Sequence, residues 1–232
     1  LKISLTNLSI SLAAAPIALA GAAGLLAYAN ARSSLSYDLT LAKCMFGNGI
    51  KAAYRERTQR LNPFYDLEYY AQQKKTANQP VLLYQSKTHT FAQLYDTILR
   101  YGHYMKTELG IKPGQVVAML FDNSDTFIMV WFGLWSIGAK PAFINYNLRG
   151  VPLAHCLKVS TANLCFVDAT LAEHVDAVKG DVANMQTIAL TQDLQTKLLS
   201  MPATRAPDSD RAGQKKTDMA VLIYTSGTTG LP

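Results

Sequence analysis

The sequence predicts an α/β body built on a doubly wound parallel sheet, preceded by a hydrophobic helix. Three observations carry this. Short unbroken apolar runs (Val116–Phe121, Pro141–Ile144, Leu164–Val167) alternate with segments whose apolar residues recur every three or four positions. Continuous apolar strands joined by amphipathic helices read as a parallel sheet covered on both faces. The last apolar run, Ala220–Tyr224, opens directly into a loop of glycines and hydroxyls. Finally, no charged residue stands between Lys2 and Arg32.

Taken in order, residues 61–79 read as an irregular connector with aromatic patches, and 81–84 (Val-Leu-Leu-Tyr) as a short strand. Thr90 and Gln93 make a capping box. Phe91, Leu94, Tyr95, Ile98, Leu99, Gly102, Met105 and Leu109 then follow at helical spacing until Gly110 ends the run. Residues 116–121 form a strand, 122–124 turn the chain, and Asp125 is positioned to cap a helix running to Ile137, with Gly138 beyond its end. Further strands are expected at 141–144, 164–167, 187–190 and 220–224, and helices near 151–159 and 171–179. Residues 201–217 are polar and read as a loop.

The 232 residues are 49% hydrophobic and 16% charged, which excludes a disordered chain. Three cysteines (Cys44, Cys156, Cys165) are too few for a disulfide framework and fit a reducing compartment. The net charge of +6 is concentrated at the start. Residues 1–60 hold seven bases and two acids, and the remainder is nearly neutral. A nucleic-acid-binding protein would carry its basic patch on the folded body.

The uncharged run from Leu8 to Ala29 has the length of a membrane span, since about 20 helical residues cross about 30 Å of hydrocarbon. Ala and Gly dominate it and contribute little apolar area. Three readings stand: a membrane anchor, a secretory signal peptide ending near Ala27-Tyr28-Ala29, and a buried helix. For an anchor, the bases that follow (Arg32, Lys43, Lys51, Arg55, Arg57, Arg60) put the body in the cytosol. Endoplasmic reticulum, peroxisome, lipid droplet and plasma membrane are not distinguished. The chain begins with Leu and stops at Gly-Leu-Pro after the polar loop, and is expected to be an N-terminal fragment of a longer protein.

Chemistry concentrates at the end of the chain. Thr225, Ser226, Gly227, Thr228, Thr229 and Gly230 follow the last strand. Two glycines let the backbone turn tightly and approach a ligand, and hydroxyls and free amides supply donors to phosphate oxygens. No GxxxxGK[ST] is present, which excludes a Walker A loop and the kinases and NTPases that use it.

The run Tyr224-Thr225-Ser226-Gly227-Thr228-Thr229-Gly230-Leu231-Pro232 resembles the phosphate-loop signature of adenylate-forming (AMP-binding) enzymes. Asp122-Asn123-Ser124, Trp131-Phe132-Gly133-Leu134, Gly138-Ala139-Lys140-Pro141 and Ile144 to Arg149 resemble the fatty acid transport protein and very-long-chain acyl-CoA synthetase branch, its fungal members in particular. The resemblance implies a membrane-anchor segment (1–31), a basic juxtamembrane connector (32–79) and a partial adenylation domain (80–232) ending at the phosphate loop. It implies fatty acid activation with ATP, Mg²⁺ and CoA, coupled to uptake, with residues 225–230 holding the ATP phosphates and the catalytic residues lying after 232. The fragment alone is expected to be inactive. An aryl- or short-chain CoA ligase and a non-catalytic truncated membrane protein are the alternatives.

Other candidates read as structural. His89, His103, His155 and His174 lack metal-ligand spacing, and no metal site is expected. His155 and Cys156 are adjacent and so diverge on a helix. Trp131 and Trp135, beside Phe127, read as core; Tyr224 reads as the core residue that places the loop. Arg149 is either a ligand contact or a capping and surface residue, and Lys215-Lys216 a solvated loop.

Overall fold

The computed structural model describes residues 5–182 and 184–224, with side chains from Pro16 onward except Leu35. The chain divides into two compact units, Leu1–Tyr54 and Arg55–Pro232.

The first unit is helical. Helix α1 (Leu5–Ser33) ends where Ser34 takes a left-handed backbone, φ 54°. The Asn30 side chain then accepts from Ser36 N at 2.6 Å, and α2 (Leu35–Arg57) begins. The expected helix is therefore present, but its reading as a membrane anchor is not supported. Among the described residues no helix is long and apolar enough to cross a membrane. The orientation read from the positive-inside rule is likewise not supported.

The second unit carries the expected sheet. Strands β3 (Val116–Leu120), β4 (Lys140–Ile144), β5 (Leu164–Asp168), β6 (Gln186–Leu190) and β7 (Leu222–Ile223) form one parallel sheet in the order β6-β5-β3-β4-β7. Alternation along β3 sends Val117 and Met119 to one face and Ala118 and Leu120 to the other. The first face packs on α3 (Phe64–Gln72), α4 (Phe91–Thr107), α5 (Asp125–Ser136) and α8 (Gln192–Ser200). The second packs on α6 (Gly150–Val159) and α7 (Ala172–Asp176). Both faces are covered, which is why the strands read as unbroken apolar runs.

Three local expectations change. The connector at 61–79 contains α3, whose buried Phe64, Leu67, Glu68 and Ala71 recur at helical spacing; a buried acid among aromatics hid the pattern. Residues 80–90 form an antiparallel hairpin, β1 (Pro80–Tyr84) and β2 (Lys87–Thr90), of which only the first arm was expected. Ser124, not Asp125, caps α5, accepting from Phe127 N at 3.1 Å. The capping box at Thr90 and Gln93 is present with both bonds made.

The polar stretch 201–217 is strapped down. Arg211 is buried, donating to Ser136 O and to Ala206 O (3.0 Å) and lying 4.7 Å from the Phe64 ring centroid. Asp208 accepts from Arg211 (3.1 Å), Arg205 (2.6 Å) and the Tyr65 hydroxyl (3.2 Å). Glu68 accepts from Arg205 and from the Tyr95 hydroxyl at 2.7 Å. Gly138, at φ +75°, lies so close to the Asp210 carbonyl that a Cβ would collide with it. Lys216, expected in a solvated loop, donates its backbone N–H to Glu56 at 3.0 Å.

Candidate nucleotide site at the carboxyl edge of the sheet

In an open parallel sheet, ligands bind outside the carboxyl ends of the strands. Here β3, β4 and β7 lie side by side with β4 central; the segments after β3 and β4 (122–124 and 145–149) leave from that one edge, at which β7 also ends. The register pairs Ala142 with Leu222 and Phe143 with Ile223. The predicted phosphate-binding residues, Thr225, Ser226, Gly227, Thr228, Thr229 and Gly230, lie outside the described residues. What the structure describes is the frame from which they depart.

That frame is held from several sides. Trp135 Nε1 donates to Ala220 O at 3.0 Å, tying α5 to the residue ahead of β7. Trp131 sits 4.8 Å, centroid to centroid, from both Trp135 and Phe143, and Phe127 lies 4.9 Å from Phe143. The expected aromatic core is thus a stack between α5 and β4, beside β7. The buried Trp131 Nε1 has no hydrogen-bond partner among the described residues. Tyr224 packs against the core of the other face, as its place in the strand suggested. Burial pushes its phenol up to about 12.

The neighbouring turns are occupied with their own geometry. Asn145 Oδ1 accepts from Asn147 N at 2.9 Å. Arg149 donates to the carbonyls of Tyr146 (2.5 Å) and Leu148 (2.7 Å), so it braces the turn before α6 and makes no side-chain cap. Asp122 Oδ1 accepts from Asn123 N. Asp125, one residue into α5, is a feature the sequence reading missed. It is buried and meets His89 Nε2 at 3.1 Å and Lys87 Nζ at 3.3 Å, both from β2. Burial alone would raise its pKa, but the bonds from His89 and Lys87 hold it below the ordinary carboxylate value. Only the unexpected second arm of the hairpin could have revealed this pairing.

Cys156 is buried, and its thiol is pushed up by burial, which suits packing rather than nucleophilic attack. Among the described residues no group of three His, Cys, Asp or Glu gathers that could hold a metal ion. The carboxylates nearest the edge are engaged, Asp125 by Lys87 and His89 and Asp168 by Thr170. Among the described residues these carboxylates do not gather into a site for Mg²⁺. An apolar groove of about 370 Å³ lies among α3, β1, α4 and α5, lined by Leu67, Leu82, Phe91, Leu94 and Phe132 among others. Its one carboxylate, Asp66, is held by Arg55, and it has no cation to meet phosphate.

Residues 69–232 match the AMP-binding enzyme family. The chain belongs to that family. It is 35% identical over 158 residues to the very long-chain fatty acid transport protein of Saccharomyces cerevisiae, covering 64% of this chain and 24% of that one. To the very long-chain fatty acid transport protein of Cochliobolus heterostrophus it is 29% identical, covering 92% and 33%. Among solved structures, a Mycobacterium tuberculosis fatty acyl CoA synthetase shares the fold with a TM-score of 0.63 at 23% identity, covering 74% of this chain and 33% of that one. The resemblance read from the terminal loop and from residues 122–149 is borne out. The chain spans a quarter to a third of the length of these curated relatives.

Proposed function

We propose that the protein to which this chain belongs activates long- or very-long-chain fatty acids as CoA thioesters. The carboxylate oxygen attacks the α-phosphate of ATP, forming acyl-adenylate and expelling pyrophosphate. The CoA thiol then attacks the acyl carbonyl, and AMP leaves with the C–O bond electrons. The observation that carries this reading is the family match over residues 69–232 together with the fatty acid transport relatives.

Within that reaction this chain supplies the phosphate grip. Thr225, Ser226, Thr228 and Thr229 offer hydroxyl donors, and Gly227 and Gly230 let backbone amides close on the phosphates. Donors already oriented before the reaction stabilise the charge that builds on departing pyrophosphate. The Trp135–Ala220 bond supports this role by tying α5 to the residues ahead of the strand from which the loop departs. Mg²⁺, when bound, would neutralise charge on the same phosphates; its ligands are not among the described residues.

The test is ATP–pyrophosphate exchange in the whole protein with a long-chain fatty acid. Replacing Gly227 and Gly230 together by Val should lower exchange at least about 100-fold, the scale of losing oriented donors. Retained exchange in that variant would refute the assignment of the loop. The 232-residue chain alone should show no exchange above background. Hexadecanoate supporting exchange where benzoate does not separates a fatty acid ligase from an aryl one.

A further inference from the structure

Strand β7 is weakly fixed by its own contacts. Strands β3, β4, β5 and β6 are five residues long, and β7 is two. Among the described residues it pairs with β4 alone, through Leu222 and Ile223, and Ile223 is 61% exposed. So short a ladder with so little buried apolar surface leaves the position of the strand to bonds from outside the sheet. The chain that leads toward it, residues 213–218, bonds to Gln59, to Glu56 and to itself. After that, the last hydrogen bond to another element ahead of β7, among the described residues, runs from Trp135 Nε1 to Ala220 O at 3.0 Å.

The donor is held in place for this bond. Helix α5 joins the end of β3 to the start of the parallel β4, so its last turn lies at the amino edge, where the chain enters β7. Trp135 stands in that turn, 7% exposed, with its ring edge-on to Trp131 (4.8 Å) and Phe132 (5.0 Å). Neighbours that already fix the ring reduce the entropy cost of aiming its N–H. Trp131 gives the contrast: its Nε1 is also buried, one turn away, and meets no acceptor among the described residues.

We infer that Trp135 is a positioning residue for the nucleotide loop: its indole N–H fixes the approach to β7, and through β7 the place from which the loop leaves. It touches no substrate. The inference rests on the proposed assignment of residues 225–230 to the ATP phosphates and adds the residue that holds their frame. Donors stabilise developing charge only where they are held within about 0.5 Å of the productive geometry, so a slack β7 weakens ATP binding before it weakens the fold.

The test replaces Trp135 in the whole protein by β-(3-benzothienyl)alanine, through stop-codon suppression. Sulfur then stands where the N–H was, so the shape and burial of the ring remain and only the donor is lost. In ATP–pyrophosphate exchange the KM for ATP should rise about threefold to tenfold, the scale of one neutral hydrogen bond, with the KM for hexadecanoate unchanged. Hydrogen exchange of the 220–224 amides should quicken at least about threefold while β3 is unaffected. Trp135→Phe should reproduce both shifts, and the benzothienyl replacement at Trp131 should produce neither. An unmoved KM for ATP, or KM values for both substrates rising together with a lower melting temperature, overturns the positioning role. An equal effect at Trp131 assigns the shift to the aromatic stack and overturns it too. If the unaltered protein shows no exchange, the assignment of the loop fails instead, and the 220–224 amides alone decide whether the bond holds β7: unchanged protection there ends the inference.

Discussion

Arg211 has a side chain with no exposed surface, an unusual position for a permanent charge. Its guanidinium is met by two carbonyls, the Asp208 carboxylate and the faces of Phe64 and Tyr65. Removing one partner of a buried charge network leaves the others uncompensated, typically costing about 3–5 kcal/mol. Arg211→Ala should lose stability on that scale in urea unfolding; a change below about 1 kcal/mol would mean the network contributes little. Asp208 gives a pH signature. Burial would raise its carboxyl, but Arg205 and Arg211 bring it down from 3.8 to about 2. A depressed folded-state value stabilises the fold above the unfolded pKa and is lost as pH falls through the folded one. Stability should therefore decline between pH 3.8 and about 2. Asp208→Asn should flatten that part of the curve, measured as the urea midpoint at a series of pH values; an unaltered slope would reject the coupling. None of this network was readable beforehand. Arg205, Asp208 and Arg211 sit in a stretch whose polarity resembles solvated loop, and their partners Glu68 and Ser136 are far away in sequence.

Helices α4 and α5 meet through small residues. A Cβ on Gly102 would strike the Ser136 hydroxyl, which donates to Gly133 O at 2.6 Å. Gly102→Ala should destabilise by about 1–3 kcal/mol despite its better helix propensity, because it overpacks the crossing. Adding Ser136→Ala should recover much of the loss, read from thermal unfolding of both variants; no recovery would place the clash elsewhere. The elements themselves were largely legible, because apolar runs of four to six residues and a capping box at Thr90 are local signals. Helix α3 and strand β2 were not, nor was α8. Glu68 breaks the apolar stripe of the first but is neutralised by Arg205, and Lys87-Thr88-His89-Thr90 has no apolar member at all. The same polar strand delivers His89 and Lys87 to Asp125, so missing the element meant missing the pairing.

Across the whole molecule, stability is concentrated unevenly. Strands β3 and β5 hold side chains of 0–3% exposure at Val117 to Leu120 and Leu164 to Val167, whereas the described side chains of Pro16–Tyr54 include none that is buried. Amide hydrogen exchange should be slowest in β3 and β5 and fast from Pro16 to Tyr54. Equal protection in the two units would contradict this partition. The resemblance to a family was legible from the order of residues in one terminal loop, whose chemistry is local. Whether the uncharged N-terminal run spans a membrane was not, since length and lack of charge are shared by segments of very different apolar area.

Strand β7 has one practical consequence. It pairs with β4 through Leu222 and Ile223, and its far side meets no other strand among the described residues. An uncapped row of peptide groups is a template for stray intermolecular pairing. At two residues, β7 offers only a short stretch of such edge, so a lysine at Ile223, 61% exposed, should be tolerated without loss of the β4 pairing.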